Sequence, residues 1–388
     1  MATTVDRMQQ FMSLLYESCY HMMGSAGPSL GRDLYQLQGI ADALINSVFA
    51  SLEDVPDYRL RPIVRVFFKP FVYSCPPAFY DSVLVPIFAH LAPFMCYHLL
   101  QRWTYISSLY ESGQLNEESN DTQEVLEDML NRSLTREYLD VLKIALVGAG
   151  PDSVHAASNI TDVAMEAEEH SMDGTTHTRA AQSALLSDII SDLGAKLLRN
   201  DATSNYILMT LMAALSWQDS ACSMKAVNVV APVMRFLATS EIQLLDQHKA
   251  ATAFQAVLQG LQVHGMHEAN QAGLITLGVQ FYELLRPKFP VLSEVLRSLP
   301  NVNAADVQKF DEKISVLPLK GNKVDKGKKD MFKKMTARLV GRSVNQMFSR
   351  QIEILNLPPM QARTSKANTD IVDITQNAGL TQLFGAEK

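Results

Sequence analysis

Apolar residues recur along most of this chain with the spacing of helices. In stretches rich in Leu, Val, Ile and Phe, an apolar position returns every three or four residues, which gives a helix one face for burial. No alternating β-branched run is bounded by Asn-Gly or Asp-Gly, so strand and hairpin signals are nearly absent. The pattern predicts an all-α chain, with helices over residues 5–23, 32–51, 58–73, 78–91, 92–110, 121–147, 181–199, 202–217, 220–238, 241–264, 268–285, 287–299, 304–316 and 330–350.

Glycine, proline and capping residues predict several helix ends. The glycine-rich stretch 24–31 is expected to end the first helix, and Pro86 and Pro93 are expected in first turns or at kinks. Residues 121–124 (DTQE) have the form of a capping box, and Asp330 is expected to cap the last helix.

Short connections between the helices predict antiparallel pairs. About six or seven pairs fit the chain, in units of roughly 40 residues, a spacing typical of helical repeats. One pair cannot bury its own apolar face, so stacked neighbours would share a continuous core. We therefore expect an all-α, HEAT-like helical-repeat solenoid; the alternative is a compact helical bundle.

Residues 148–180 interrupt the helical pattern. Ser, Thr, His, Ala and acidic residues fill this stretch without apolar periodicity, which is typical of a disordered loop. A polar tail follows Pro358 and Pro359. The expected organisation is HEAT-like repeats over 1–147 and 181–317, an acidic disordered loop over 148–180, a basic segment with the terminal helix over 318–350, and a flexible C-terminal tail over 351–388.

Composition adds little to this picture beyond exclusions. The 388 residues are 47% apolar and 19% charged, a balance typical of soluble proteins. No run of about eighteen apolar residues is free of charge, so no membrane insertion is expected. The first residues lack the layout of a secretory signal. The four cysteines are scattered and are interpreted as reduced thiols of a cytosolic or nuclear protein.

The net charge of −7 hides two blocks of opposite sign. Residues 320–350 contain ten Lys and Arg against two Asp, whereas residues 111–173 contain fifteen Asp and Glu against three Lys and Arg. Such blocks indicate charged partners more directly than the total does. The acidic block could compete with a polyanion for the basic one; the alternative is a solvated loop without a role.

No catalytic signature accompanies these blocks. The chain lacks a glycine-rich phosphate loop, a nucleophile elbow and a Ser-His-Asp set. His264 and His267 have a spacing that two metal ligands could share, but no further ligand lies nearby in sequence, so a polar turn is favoured. We expect no enzyme activity, no cofactor and no metal, and we look for function in surfaces.

One candidate surface is a row of cations in the third predicted helix. Arg61, Arg65 and Lys69 recur every four residues and share a face, with Arg59 close by and no acid between Arg59 and Lys69. A surface of one sign suits a polyanion such as RNA. The alternative is a solvated face that pairs with acids of a neighbouring helix.

The second candidate is the basic segment near the C-terminus. Its first part is interpreted as mobile because glycines separate the lysines, and its second part is placed on the last predicted helix. Phosphate contact is the functional interpretation, since flexible lysines attract phosphates without sequence choice; a solubilising tail or a nuclear localisation patch is the alternative. The residues are Lys320, Lys323, Lys326, Lys328 and Lys329 in the first part, and Lys333, Lys334, Arg338 and Arg342 in the second.

Several segments resemble the C-terminal region of the exportin-5 family, in the same order along nearly the whole chain. The most specific is 56–70 (PDYRLRPIVRVFFKP). The others are 16–19 (YESC), 26–29 (AGPS), 134–137 (LTRE), 258–267 (LQGLQVHGMH), 282–287 (YELLRP), 328–334 (KKDMFKK) and 379–384 (GLTQLF).

The resemblance implies an importin-β-like HEAT solenoid that shuttles between nucleus and cytoplasm. Such receptors bind Ran-GTP and nuclear pore proteins, and they enclose double-stranded or hairpin RNA, notably microRNA precursors with a 3′ overhang and also transfer RNA. The chain would correspond to about the C-terminal third of a family member, without the repeats that hold most of the Ran surface. A HEAT-type protein-interaction scaffold without RNA cargo is the alternative function.

The resemblance and the charges together predict one arrangement. Arg61, Arg65 and Lys69 should line a concave surface, and the last helix should close the same groove. The segment 380–384 is expected to dock back on the solenoid.

Overall fold

The computed structural model describes residues 3–112, 123–148, 190–240, 245–299, 302–316 and 324–340, apart from the side chains of Asp6 and Glu111. Within these ranges every regular element is a helix. The α-helices are α1 (Thr4–Leu30), α2 (Arg32–Tyr35), α3 (Ile40–Ile45), α4 (Asp57–Pro62), α5 (Lys69–Ser74), α6 (Val85–Glu111), α7 (Gln123–Val147), α8 (Asp192–Arg199), α9 (Asp201–Ala214), α10 (Ser220–Thr239), α11 (Gln247–His264), α12 (Glu268–Leu285), α13 (Val291–Arg297), α14 (Ala304–Val316) and α15 (Lys326–Thr336).

The described residues form two compact units. Unit 1 contains residues 3–95, 129–148 and 190–203, and the remainder forms unit 2. In unit 2, α11 and α12 are 18 residues each, adjacent, and joined by a short turn, which makes them an antiparallel pair. The prediction of an all-α, helical-repeat class is confirmed.

In unit 1, α1 packs along α5 and the segment Ile63–Phe68 that precedes it. Two glycines on α1 permit this close approach, because a Cβ at Gly24 would collide with the carbonyl oxygen of Val66, and one at Gly27 would collide with Ser74. The contact explains why α1 continues to Leu30, where the sequence predicted a stop at residue 23. Glycine here serves helix packing and not termination.

The third predicted helix is present but is not uniformly α-helical. Between α4 and α5 the chain adopts the wider π-helical winding over Ile63–Phe68, flanked by Pro62 and Pro70, which lack the N–H groups of a regular ladder. Its apolar face contributes to an aromatic core in which Phe67 packs against Phe71 at 5.4 Å between ring centroids. Tyr35 closes this core and donates a hydrogen bond to the Phe71 carbonyl at 2.7 Å.

Other boundaries differ from the prediction. The stretch 32–51 forms α2 and α3, and 78–110 forms a 3₁₀ turn, a π-helical turn and the single helix α6. Pro86 lies in the first turn of α6, as predicted, but Pro93 lies inside that helix.

In unit 2, α12 is central: it packs against α10, α11 and α15. Its Tyr282 ring lies 5.7 Å from Phe254 of α11 and 5.2 Å from Phe310 of α14, and Phe332 of α15 lies 6.1 Å from Phe310. These rings build the core beneath α15. The predicted bounds of α12 and α14 agree with the structure, whereas α15 begins at Lys326, before the predicted start at Asp330.

Two helical stretches are long and apolar enough to cross a membrane on length and composition alone: Pro77–Tyr110 and Ser220–Thr239. In the most apolar part of each, 56% and 61% is buried within the protein. Core helices of folded domains meet the same criteria, so the absence of membrane insertion remains a sequence-based prediction.

Candidate nucleic-acid interface

The basic helix α15 presents cations on one side and packs by the other. Asp325 caps it, accepting a hydrogen bond from the Lys328 N–H at 3.1 Å. Phe332, Met335 and Thr336 are buried on the packed side. The exposed side carries Lys326, Lys333 and Lys334, with Lys329 half-buried at its edge and Arg338 exposed in the turn beyond the helix.

The exposed cations of α15 are not neutralised by neighbours. Lys326, Lys333, Lys334 and Arg338 form no ion pair with any other residue in the part of the chain that the structure describes. An exposed acid, Asp330, lies one helical turn from both Lys326 and Lys334. The face therefore has a cationic surplus, which suits a phosphate-bearing ligand.

Lys328 does not belong to that face. Its side chain is 2% exposed, and its Nζ donates to the Glu283 carboxylate on α12, which is itself 4% exposed. The expectation of a mobile Lys328 among flexible lysines is wrong, because the helix starts earlier than predicted and turns this residue into the core. Burial also lowers the pKa of the neighbouring Lys329. Among the described residues no acid pairs with Lys329 to offset this effect.

In unit 1, the row of cations faces acids on α7. Glu137 lies 3.5 Å from Arg65 Nε and 3.0 Å from Lys69 Nζ, and Asp140 lies 3.4 Å from the same Nζ. This is the alternative that the sequence left open, a helix face paired with a neighbouring helix. Glu137 lies in the matched segment 134–137, but its distance of 68 residues in sequence from Lys69 hid the pairing.

The two cations before this pair have different surroundings. The Arg59 guanidinium lies 5.4 Å from the ring centroid of Tyr16 and 5.7 Å from that of Tyr58, within cation–π range. Arg61 is partly exposed. RNA contact by Arg59, Arg61, Arg65 and Lys69 stays a prediction, and for Lys69 it would require competition with two carboxylates.

The remaining predictions fall outside the described residues. They concern the acidic loop beyond Gly148, the tail with its segment 380–384, and the cations Lys320, Lys323 and Arg342. The row of cations lies in unit 1 and α15 lies in unit 2, so the prediction that they share one groove also stays a prediction.

His264 has a structural role in place of the metal ligand considered from sequence. Its ring is buried, and Nε2 donates to the Trp217 carbonyl at 2.7 Å. Among the residues described, no three His, Cys, Asp or Glu side chains come together as a group that could hold a metal.

Comparison with known proteins identifies the family of this chain. Residues 1–351 match the exportin-5 family. Exportin-5 from Homo sapiens and exportin-5 from Mus musculus are each 32% identical over 387 residues, which is 98% of this chain and 31% of those proteins. Exportin-5 from Dictyostelium discoideum is 23% identical over 138 residues, or 36% of this chain and 12% of that protein. The chain thus spans about a third of the length of its mammalian relatives, and it belongs to the exportin-5 family of nuclear export receptors.

Proposed function

We propose that this chain supplies an RNA-cargo surface of a nuclear export receptor. The cargo is structured double-stranded RNA, microRNA precursors and also transfer RNA, carried from nucleus to cytoplasm in a Ran-GTP-dependent cycle by a receptor that shuttles between the two. The mechanism is binding and release without covalent chemistry. Contacts to Ran-GTP and to nuclear pore proteins belong to the full-length receptor, of which this chain spans about a third.

The observation that carries the proposal is the cationic surplus on α15. Lys333 and Lys334 are adjacent in sequence and both exposed. Lys326 adds a positive charge at the start of the helix, and Arg338 adds one just beyond its end. Four cations without ion-pair partners among the described residues are free to replace the counterions of a phosphate backbone.

This arrangement suits duplex RNA for a geometric reason. A-form RNA hides its base edges in a deep, narrow major groove, so a protein recognises it mainly through phosphates and 2′-hydroxyls. Lys and Arg on one helix face can meet phosphates without reading sequence. The cargo would accordingly be chosen by shape.

Unit 1 has a secondary place in this proposal. Its Lys69 is paired with Glu137 and Asp140, and a phosphate could recruit it only by displacing those carboxylates. Arg65, whose side chain is 56% exposed, meets Glu137 through Nε alone, at 3.5 Å. Arg65 and the partly exposed Arg61 are the members of the row that remain more available, whereas the exposed cations of α15 have no ion-pair partner among the described residues. We therefore assign the main phosphate contacts to α15.

Binding of the purified chain to a short hairpin RNA with a 3′ overhang tests the proposal. If about five phosphates are neutralised, raising salt from 50 to 200 mM should weaken binding roughly 500-fold. The double variant K333E/K334E should bind at least about tenfold more weakly, with a salt slope smaller by about two contacts.

The matched control is R7E/R297E, which makes the same change in net charge at exposed residues outside α15. It should stay within about threefold of wild type, since distant charges are screened. Absence of binding at 50 mM by the folded chain, or equal losses in both variants, would contradict the proposal.

A specific observation also supports the alternative, a protein-interaction scaffold without RNA cargo. The first half of α1 exposes several large apolar side chains, which is typical of a surface that meets another protein. A chain that fails to bind RNA but is captured by a protein partner through α1 would favour this function. The exposed residues are Val5, Met8, Phe11, Leu14 and Leu15.

A further inference from the structure

A buried ion pair fastens the basic helix α15 to α12. The side chains of Lys328 and Glu283 are 2% and 4% exposed, and the ammonium donates to the carboxylate. An unpaired charge at such a site would be far costlier than the pair, so the two groups must remain together while α15 is docked. The pair therefore determines which side of α15 faces the core.

Phe332, one helical turn after Lys328, fixes the same side of the helix. Its ring lies against Gly278 of α12, where a Cβ would come within 2.6 Å of two ring carbons. The ring also lies 6.2 Å from that of Phe254 and 6.1 Å from that of Phe310. The Asp325 cap defines where the helix starts, and Asp325 is itself 3.7 Å from Lys313 of α14.

The orientation of the exposed cations follows from these anchors. A helix turns by about 100° per residue, so a shift of one residue at the ion pair would rotate every cation of α15 by that angle. Lys329 would then approach Glu283, and Lys333 and Lys334 would leave their present directions. The cationic face has a defined direction only while Lys328 occupies its buried place.

We infer that Lys328 and Glu283 are positioning residues for the phosphate-binding face of α15, and that Lys328 does not contact RNA. This inference rests on the proposed function for its RNA consequence. It also means that Glu283, a buried acid, favours the binding of a polyanion. Its negative charge by itself would oppose that binding.

The sign of the E283Q effect separates positioning from simple electrostatics. Removal of a negative charge near a polyanion site should leave binding equal or tighter if charge alone matters. If the pair positions α15, E283Q should weaken hairpin RNA binding at 50 mM salt by at least about tenfold, and it should reduce the salt slope by about two contacts. The charge-exchanged variant E283K/K328E should recover binding to within about threefold of wild type.

A distance measurement tests the positioning without RNA. Nitroxide labels at Q308C on α14 and A337C beyond α15, in a C19S background, lie at exposed positions of unit 2. The distance distribution between them should be narrow in the otherwise unchanged chain, broad in E283Q and narrow again in E283K/K328E. The control K334Q should weaken RNA binding and leave the distribution narrow.

The two proposals fail in different ways. If the chain binds no RNA, or if K334Q binds it as tightly as wild type, the proposed function fails, and the label distances alone decide the positioning. If E283Q binds RNA as tightly as wild type or tighter and keeps a narrow distance distribution, the positioning inference is wrong, even where RNA binding itself is confirmed.

Discussion

At the scale of the residue, His264 is kept neutral by its surroundings. Its Nε2–H donates to the Trp217 carbonyl, which leaves Nδ1 unprotonated, buried and without a hydrogen-bond partner among the described atoms. A second proton would place a charge in the core. Burial therefore lowers the pKa of His264 to about 4, although the Trp217 carbonyl acts in the opposite direction.

Stability should consequently fall as the pH drops from about 6.5 to 4. The unfolded chain takes up a proton on this residue near pH 6.5 and the folded chain only near 4, so acid favours the unfolded state. Between pH 7 and 5 the free energy of unfolding should decrease by about 2 kcal/mol from this residue. The variant H264Q, which can still donate an N–H, should lose that dependence in urea unfolding.

Exposed His248 provides the control for this measurement. The variant H248Q should retain the full pH dependence of wild type. Parallel stability curves for wild type and H264Q between pH 7 and 5 would show that His264 does not titrate differently on folding.

At the scale of the element, the docking of α15 depends on a glycine of α12. Gly278 lies where the Phe332 ring meets the helix, and there is no room for a methyl group. Gly273, one and a half turns earlier on α12, has its nearest neighbour, Met224, at the ordinary distance of 3.5 Å. Two glycines of one helix thus have different roles, because only one is approached closely by a rigid ring.

Substitution of the two glycines should give opposite results. G278A should lower the free energy of unfolding by about 1–3 kcal/mol, the cost of overpacking a filled core. G273A should leave it unchanged or raise it by up to about 1 kcal/mol, since alanine is the better helix former. Urea unfolding of both variants measures the difference; a destabilisation by G273A equal to that by G278A would show that the Phe332 contact is not the cause.

At the scale of the whole molecule, the net charge is negative, although the segment that contains the proposed RNA-binding helix is positive. The chain carries −7, yet residues 320–350 have a surplus of eight positive charges. Residues 150–178 alone contain six acids and no Lys or Arg. These six acids repel a polyanion that comes within about a Debye length of them, about 10 Å at 0.1 M salt.

Neutralisation of those six acids to Asn or Gln should therefore strengthen RNA binding. The net charge changes from −7 to −1, and the affinity for hairpin RNA at 50 mM salt should rise by about threefold or more. The gain should shrink at 200 mM, where screening is stronger. Unchanged affinity at both salt concentrations would favour the alternative, a solvated loop without a role in binding. The control is a variant in which six Ser or Thr residues outside this segment are replaced by Asn or Gln.

The sequence by itself determined the helical class and much of its layout. The period of three to four residues locates α12 and α14 at their observed bounds, because a buried face imposes its spacing on the residues that form it. The matched segments also identified the family over most of the chain. The exposed cations Lys333 and Lys334 could be found in the same way, since a charge-rich helix face is local information.

Only the tertiary structure decided which charged residues are available. Lys328 and Lys333 belong to the same lysine-rich run, but one is buried against Glu283, 45 residues away, and the other is exposed. Lys69 meets Glu137, 68 residues away. Periodicity shows that a helix has a polar face, but the partner of each charge depends on which distant helix packs there, and that depends on the shapes of both surfaces. Gly24 illustrates the same limit: local sequence rules placed it in a helix end, whereas close packing against Val66 keeps it inside α1.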